Sequence, residues 1–85
     1  MRDYKALLEA GVCAQIEKLQ ENDHKGNWDS ADIGNVVSLL RDEVEELAQA
    51  VADKSYRDAR REAADVANFA HMIIFVCNKH LREKS

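Results

Sequence analysis

The sequence predicts an all-α fold, an antiparallel helical bundle of three main helices, and three observations support this fold class. The chain of 85 residues contains no proline and three glycines, the residues least compatible with a helix interior. Apolar residues recur every three or four positions along three segments, as in helices with one buried face. A single long break, rich in Asn, Asp and Gly, interrupts this pattern. We therefore expect one domain over residues 1–85.

The first predicted helix spans about residues 3–21. Its apolar stripe, which we expect to be buried, consists of Tyr4, Leu7, Leu8, Val12, Ile16 and Leu19. Gly11 lies inside this helix and costs about 1 kcal/mol of helix propensity relative to alanine. The break over residues 22–29 follows, and it contains the only tryptophan, Trp28.

The second and third predicted helices are joined by a short connection, which makes them antiparallel neighbours. The second follows a cap at Asp29 or Ser30 and runs to about Ala52. Its stripe consists of Ile33, Val36, Val37, Leu40, Val44, Leu47 and Val51. The third covers about residues 56–81 and follows Ser55, which resembles the first residue of a capping box. Its stripe consists of Ala59, Ala63, Val66, Ala70, Ile73, Ile74 and Cys77.

The size of the chain favours self-association. A core built by 85 residues is only marginally stable on its own. The two longer helices would each extend roughly 35 to 40 Å, which would leave unpaired faces in contact with water. We therefore expect a homodimer or homotetramer in which further copies complete a four-helix-bundle-like core.

The net charge indicates which classes of partner the chain binds, and the cysteines and the N-terminal residues indicate its cellular compartment. A net charge of -4 argues against binding to a nucleic-acid polymer or to an anionic membrane. Cys13 and Cys77 lack the spacing of a zinc site, and we expect reduced, mostly buried thiols. The first residues, Met1 to Lys5, lack the apolar stretch of a signal peptide, and no segment is apolar enough to span a membrane. These features predict a cytoplasmic protein.

Two pairs of acids are the main candidates for a functional site. Glu43 and Glu46 are three residues apart on the second predicted helix, as are Glu62 and Asp65 on the third, so each pair shares one helix face. Acids crowded against an apolar seam repel each other and lose hydration. A hard cation that prefers carboxylate oxygens would offset both costs. The four acids therefore predict a site for Mg²⁺, with Mn²⁺ as a substitute.

The two pairs also resemble the ExxE and ExxD signature of the MazG-like all-alpha nucleoside triphosphate pyrophosphohydrolases. The resemblance covers about residues 36–77, and all four acid types match. It implies that the acids bind Mg²⁺ and that the enzyme hydrolyses nucleoside triphosphates, either dNTPs or non-standard NTPs, between the α and β phosphates. The products would be a monophosphate and pyrophosphate. The chain departs from the pattern at Glu45, where many members have Gly, and at Gln49, where many have a further acid.

Roles for individual residues follow from the chemistry of the site and, for Trp28 and Phe69, from the resemblance. Glu43 or Glu46 would act as the general base that accepts a proton from the attacking water. Candidates for substrate binding are Trp28, Lys25, Asn68 and Phe69. Trp28 would stack on the base or close the end of the bundle, and Lys25 would contact phosphate or solvent. Asn68 would hold the metal shell or the substrate, and Phe69 would lie near the nucleotide or in the core.

Two other functions are compatible with the same residues. The ExxD segment also resembles phosphoribosyl-ATP pyrophosphohydrolase of histidine synthesis, although Trp28 favours an enzyme that acts on free nucleotides. Alternatively, the chain is a non-catalytic helical interaction module whose acids are solvated. A response of thermal stability to Mg²⁺ or Mn²⁺ separates this module from an enzyme with a metal site.

Overall fold

The computed structural model describes residues 4–21 and 32–84, and within them the regular structure is entirely helical. The helices are α1 (Tyr4–Glu21), α2 (Ile33–Ala52) and α3 (Tyr56–Lys84). The predicted all-α class and the three main helices are therefore confirmed. None of the described helices combines the length and the apolar character needed to cross a membrane.

Helix α3 is the common partner of the other two helices. Both α1 and α2 pack against it, whereas the described residues of α1 and α2 make no contact with each other. Lys18 pairs with Asp65 and the later Glu21 pairs with the earlier Arg61, so α1 runs antiparallel to α3. The short connection between α2 and α3 makes that pair antiparallel as well.

The first turns of α2 and α3 are each capped by a side chain. Asp32 caps α2: its backbone is extended and its carboxylate accepts a hydrogen bond of 2.8 Å from the N–H two residues later. The predicted caps, Asp29 and Ser30, lie outside the described residues. Ser55 caps α3 as predicted, because its hydroxyl accepts a hydrogen bond of 3.4 Å from the N–H of Asp58.

Helix α2 ends in a Schellman motif, which forms the turn between α2 and α3. The N–H of Ser55 donates to the carbonyl of Ala50, and the N–H of Lys54 donates to that of Val51, both at 3.0 Å. This geometry requires a left-handed residue, and Lys54 provides it with a φ of 58°. A tight turn of this kind holds α2 and α3 close together, which positions the acids on both helices.

The expected burial of the apolar stripe on α1 is wrong for the single chain. All six stripe residues are exposed, and Leu8, for example, retains 63% of its accessible surface. The buried residues of α1 are Ala14 and Gln15. Among the described helices, α1 contacts α3 alone, and its buried residues there, Ala14 and Gln15, are small or polar. Periodicity identified residues that share a face, but it did not identify the face that packs.

The core of the chain is small. Its buried apolar residues are Ala14, Val36, Ala50, Ala64 and Val76, and none of the described large side chains is fully buried. On the predicted stripes of α2 and α3, Val44, Val51 and Ile74 are exposed. Cys13 and Cys77 are free but exposed, which corrects the expectation of buried thiols. Both cysteines lie on helix sides that no described element covers.

We predict that Lys54→Gly stabilises the protein by about 1 kcal/mol, because glycine adopts the left-handed conformation without the steric cost of a Cβ atom. Urea denaturation monitored by circular dichroism measures the change. The control is Lys79→Gly in the exposed part of α3, which should destabilise by about 1 kcal/mol because it places glycine within a helix. Destabilisation by both substitutions would contradict the role assigned to the turn.

Candidate metal centre

Three carboxylates from two helices converge at one point. Glu43 of α2 and both Glu62 and Asp65 of α3 offer oxygen atoms that all lie within 4.8 Å of one another. All three side chains are half-buried. The antiparallel packing and the short turn bring them to the same height along the two helices. We call these three residues the acidic cluster.

The donor atoms of the acidic cluster fit a hard divalent cation. Oε2 of Glu43 and Oε2 of Glu62 are buried and have no hydrogen-bond donor. Buried carboxylate oxygens normally accept hydrogen bonds, because an unpaired one loses its hydration without compensation. Mg²⁺ and Mn²⁺ bind such oxygens and complete their coordination with water or phosphate. The arrangement thus provides ligands for a cation from both helices.

The protonation of Glu43 reflects the crowding. The pKa of Glu43 is raised from its usual 4.5 to about 8. Burial is the largest cause, and hydrogen bonds to Glu62 and Glu46 and the charges of Asp65 and Glu46 act in the same direction. Two carboxyl groups can share a hydrogen bond only when one of them carries a proton. The raised pKa therefore favours the protonated form of Glu43 near neutral pH.

Glu46 has a different position from the other three predicted metal ligands. Its side chain is exposed, and it does not belong to the acidic cluster. It nevertheless lies close enough to Glu43 to raise the pKa of that residue. The structure therefore brings together three of the four predicted ligands and places the fourth beside them. The assignment of Glu43 or Glu46 as general base stays a prediction.

Lys18 of α1 reaches the acidic cluster, a contact that was not predicted from the sequence. Its Nζ lies 3.4 Å from Oδ2 of Asp65 and 3.4 Å from Oε2 of Glu21. The contact of Lys18 with Asp65 was not predicted because the apolar stripe of α1 was expected to face the bundle. One signal was present: Lys18 follows Gln15 by three residues, so the two share a polar side of the helix.

Two exposed ion pairs join α1 to α3 near Lys18. Glu21 accepts two hydrogen bonds from the guanidinium of Arg61, at 3.1 and 3.2 Å. The hydrogen bond from Arg61 is the main reason that the pKa of Glu21 is lowered. Arg60 pairs with Glu17 at 3.1 Å. These contacts fix the end of α1 that carries Lys18.

The predicted substrate-binding residues do not form one group within the described part of the chain. Asn68 is buried and bonded to α1: its Nδ2 donates to the carbonyl of Gln15 at 3.1 Å, and its Oδ1 accepts from Nε2 of Gln15 at 3.1 Å. Packing thus accounts for the burial of Asn68. Phe69 is half-buried on α3. Lys25 and Trp28 lie outside the described residues, so all four substrate roles stay predictions.

Comparisons with known proteins assign the chain to no family. No family model, no curated protein and no solved structure matches it. The similarity to MazG-like pyrophosphohydrolases therefore depends on the two acid pairs and stays a prediction.

We predict that the cation-free protein loses stability as pH rises from 4.5 to about 8, and that Glu43→Gln removes much of this loss. The carboxyl of Glu43 has a higher pKa in the folded chain than its usual 4.5, so folding retains a proton that the unfolded chain releases in this range. Urea denaturation with a chelator present, repeated across that range, measures the slope of the unfolding free energy against pH.

Glu45→Gln is the matched control, because Glu45 is an exposed acid on the same helix. This variant should keep the wild-type slope, since its carboxylate is not part of the acidic cluster. Identical slopes for Glu43→Gln and the wild type would show that crowding does not hold the proton on Glu43.

Proposed function

We propose that the protein is a metal-dependent nucleoside triphosphate pyrophosphohydrolase that acts on dNTPs or non-standard NTPs. It hydrolyses the bond between the α and β phosphates and releases a monophosphate and pyrophosphate. The observation that supports this function is the convergence of the Glu43, Glu62 and Asp65 carboxylates within 4.8 Å. The free thiols of Cys13 and Cys77 accord with a reducing compartment such as the cytoplasm.

The charge of the site explains why the activity requires a cation. A triphosphate is strongly anionic, and carboxylates alone would repel it. Mg²⁺ or Mn²⁺ held at the acidic cluster would offset the phosphate charge and activate water as the nucleophile. Glu43, Glu62 and Asp65 would hold the cation. Glu46, exposed beside Glu43, would accept the proton of the water.

We also propose that a second copy of the chain covers the exposed stripe of α1. The radius of gyration is 14.3 Å, whereas a compact chain of this length has about 12 Å. The accessible surface of 6840 Å² exceeds the roughly 5,100 Å² that a compact protein of this mass exposes. The excess is about twice the 800 Å² that each partner buries in a standard interface.

A groove between α1 and α3 suits this second copy. It has a volume of about 290 Å³. Its walls are mainly apolar and comprise Val12, Ile16, Leu19, Met72 and Phe75, with Gln15, Asn68 and His71 as the polar members. The groove continues the exposed stripe of α1, which includes Leu8 one turn before Val12. An apolar helix face from another copy would fill it and complete a four-helix core.

The activity is tested with each NTP and dNTP in the presence of Mg²⁺ or Mn²⁺, by assay of pyrophosphate and of the monophosphate. We expect turnover by the wild type and at least a hundredfold loss in Glu62→Gln, because a neutral amide binds a hard cation poorly. Glu45→Gln should retain activity, since Glu45 is exposed and lies outside the acidic cluster. Phosphoribosyl-ATP is included as a substrate.

Absence of turnover on every nucleotide would overturn the proposed function. Hydrolysis of phosphoribosyl-ATP alone would replace it with the enzyme of histidine synthesis. Equal activity of Glu62→Gln and Glu45→Gln would show that the acidic cluster is not the active site.

Self-association is tested by sedimentation equilibrium on the wild type and two variants. We expect a wild-type mass of at least a dimer and a shift toward monomer in Leu8→Glu, because the substitution places a charge in the proposed interface. Val51→Glu is the control: Val51 is 60% exposed, nearly as much as Leu8, but lies on α2. A monomeric wild type, or equal dissociation of both variants, would contradict the proposed interface.

A further inference from the structure

We infer that Lys18 is a built-in counter-ion that sets the affinity of the acidic cluster for divalent cations. Its ammonium neutralises Asp65 in the cation-free chain and repels an incoming cation. This inference rests on the proposed function, because it concerns the same metal site. It adds a residue from α1 that the two acid pairs do not include.

The ion pair between Lys18 and Asp65 is better shielded than the other inter-helix pairs. The Nζ to Oδ2 distance is 3.4 Å, and the side chains are only 14% and 15% exposed. The side chains of Arg60 and Glu17, which also join α1 to α3, are 52% and 60% exposed. Electrostatic interactions are stronger where water is partly excluded. Lys18 therefore acts on the acidic cluster with little screening.

The position of Asp65 makes the interaction competitive. Asp65 contributes an oxygen to the acidic cluster, and the same residue accepts the ammonium of Lys18 through Oδ2. A divalent cation held by Asp65 would lie near this ammonium, and like charges repel. Lys18 has an alternative partner in Glu21, also at 3.4 Å. Its flexible stem allows the ammonium to stay on Glu21 when a cation binds Asp65.

A merely structural Lys18 would give the opposite result on substitution. If the residue only held α1 against α3, its loss would loosen the site and weaken cation binding. A counter-ion predicts tighter binding, because its loss leaves the acidic cluster with one more uncompensated negative charge. The sign of the change in affinity therefore distinguishes the two roles.

The experiment is isothermal titration calorimetry of the full chain with Mn²⁺ alone, without nucleotide. We expect Lys18→Met to bind Mn²⁺ about tenfold more tightly than the wild type, as expected when a unit charge is removed from a partly screened site. Lys18→Arg keeps the charge and should retain an affinity close to that of the wild type. Arg60→Met, which removes an α1–α3 ion pair outside the acidic cluster, should leave the affinity unchanged.

The outcomes separate this inference from the proposed function. Equal or weaker Mn²⁺ binding by Lys18→Met, with clear binding by the wild type, overturns the counter-ion role and leaves the proposed enzyme intact. A wild type that neither binds Mn²⁺ nor hydrolyses nucleotides overturns both. Circular dichroism checks the helicity of each variant. Lys18→Gln repeats the measurement if Lys18→Met does not fold.

Discussion

Repulsion among the carboxylates of Glu43, Glu62 and Asp65 is the constraint to which the rest of the site responds. Three ionised groups within 4.8 Å would be unfavourable in a half-buried position. The cation-free chain reduces this repulsion in two ways, by a proton on Glu43 and by the ammonium of Lys18 beside Asp65. Both contributions reduce the negative charge of the acidic cluster, as a divalent cation at the proposed site would. The chain itself therefore offsets part of the negative charge of the acidic cluster.

Helix α3 makes this arrangement possible because it contacts both other helices. One side carries Glu62 and Asp65 toward Glu43 of α2. Another carries Asn68 toward Gln15 of α1, where two hydrogen bonds of 3.1 Å join the helices. Buried polar pairs of this kind fix register, because a shifted helix would leave their groups unpaired. The register of α1 on α3 in turn determines that Lys18 meets Asp65.

The sequence predicted the acidic cluster better than it predicted the packing around it. Glu43, Glu62 and Asp65 were identified because residues three apart share a helix face and because a short turn places α2 beside α3. The contact of Lys18 was not predicted, since nothing local specifies which side of α1 meets α3. The apolar residues of α1 were predicted to be buried, but they are exposed, because periodicity does not specify which side of a helix packs. The cap of α2 at Asp32 was not predicted, because several polar residues before this helix are of types that can cap it.

Helix α1 connects the proposed self-association with the proposed role of Lys18. Its small and polar side holds Lys18 at the acidic cluster, and its apolar stripe is exposed. A helix that contacts one neighbour and buries only Ala14 and Gln15 gains little stability from apolar burial. A second copy packed on the stripe would supply that burial and hold α1 more firmly on α3. The distance between Lys18 and Asp65 depends on the position of α1 on α3. Association of the chains would therefore change how strongly Lys18 offsets the charge of the acidic cluster, although the second copy contributes no residue to it.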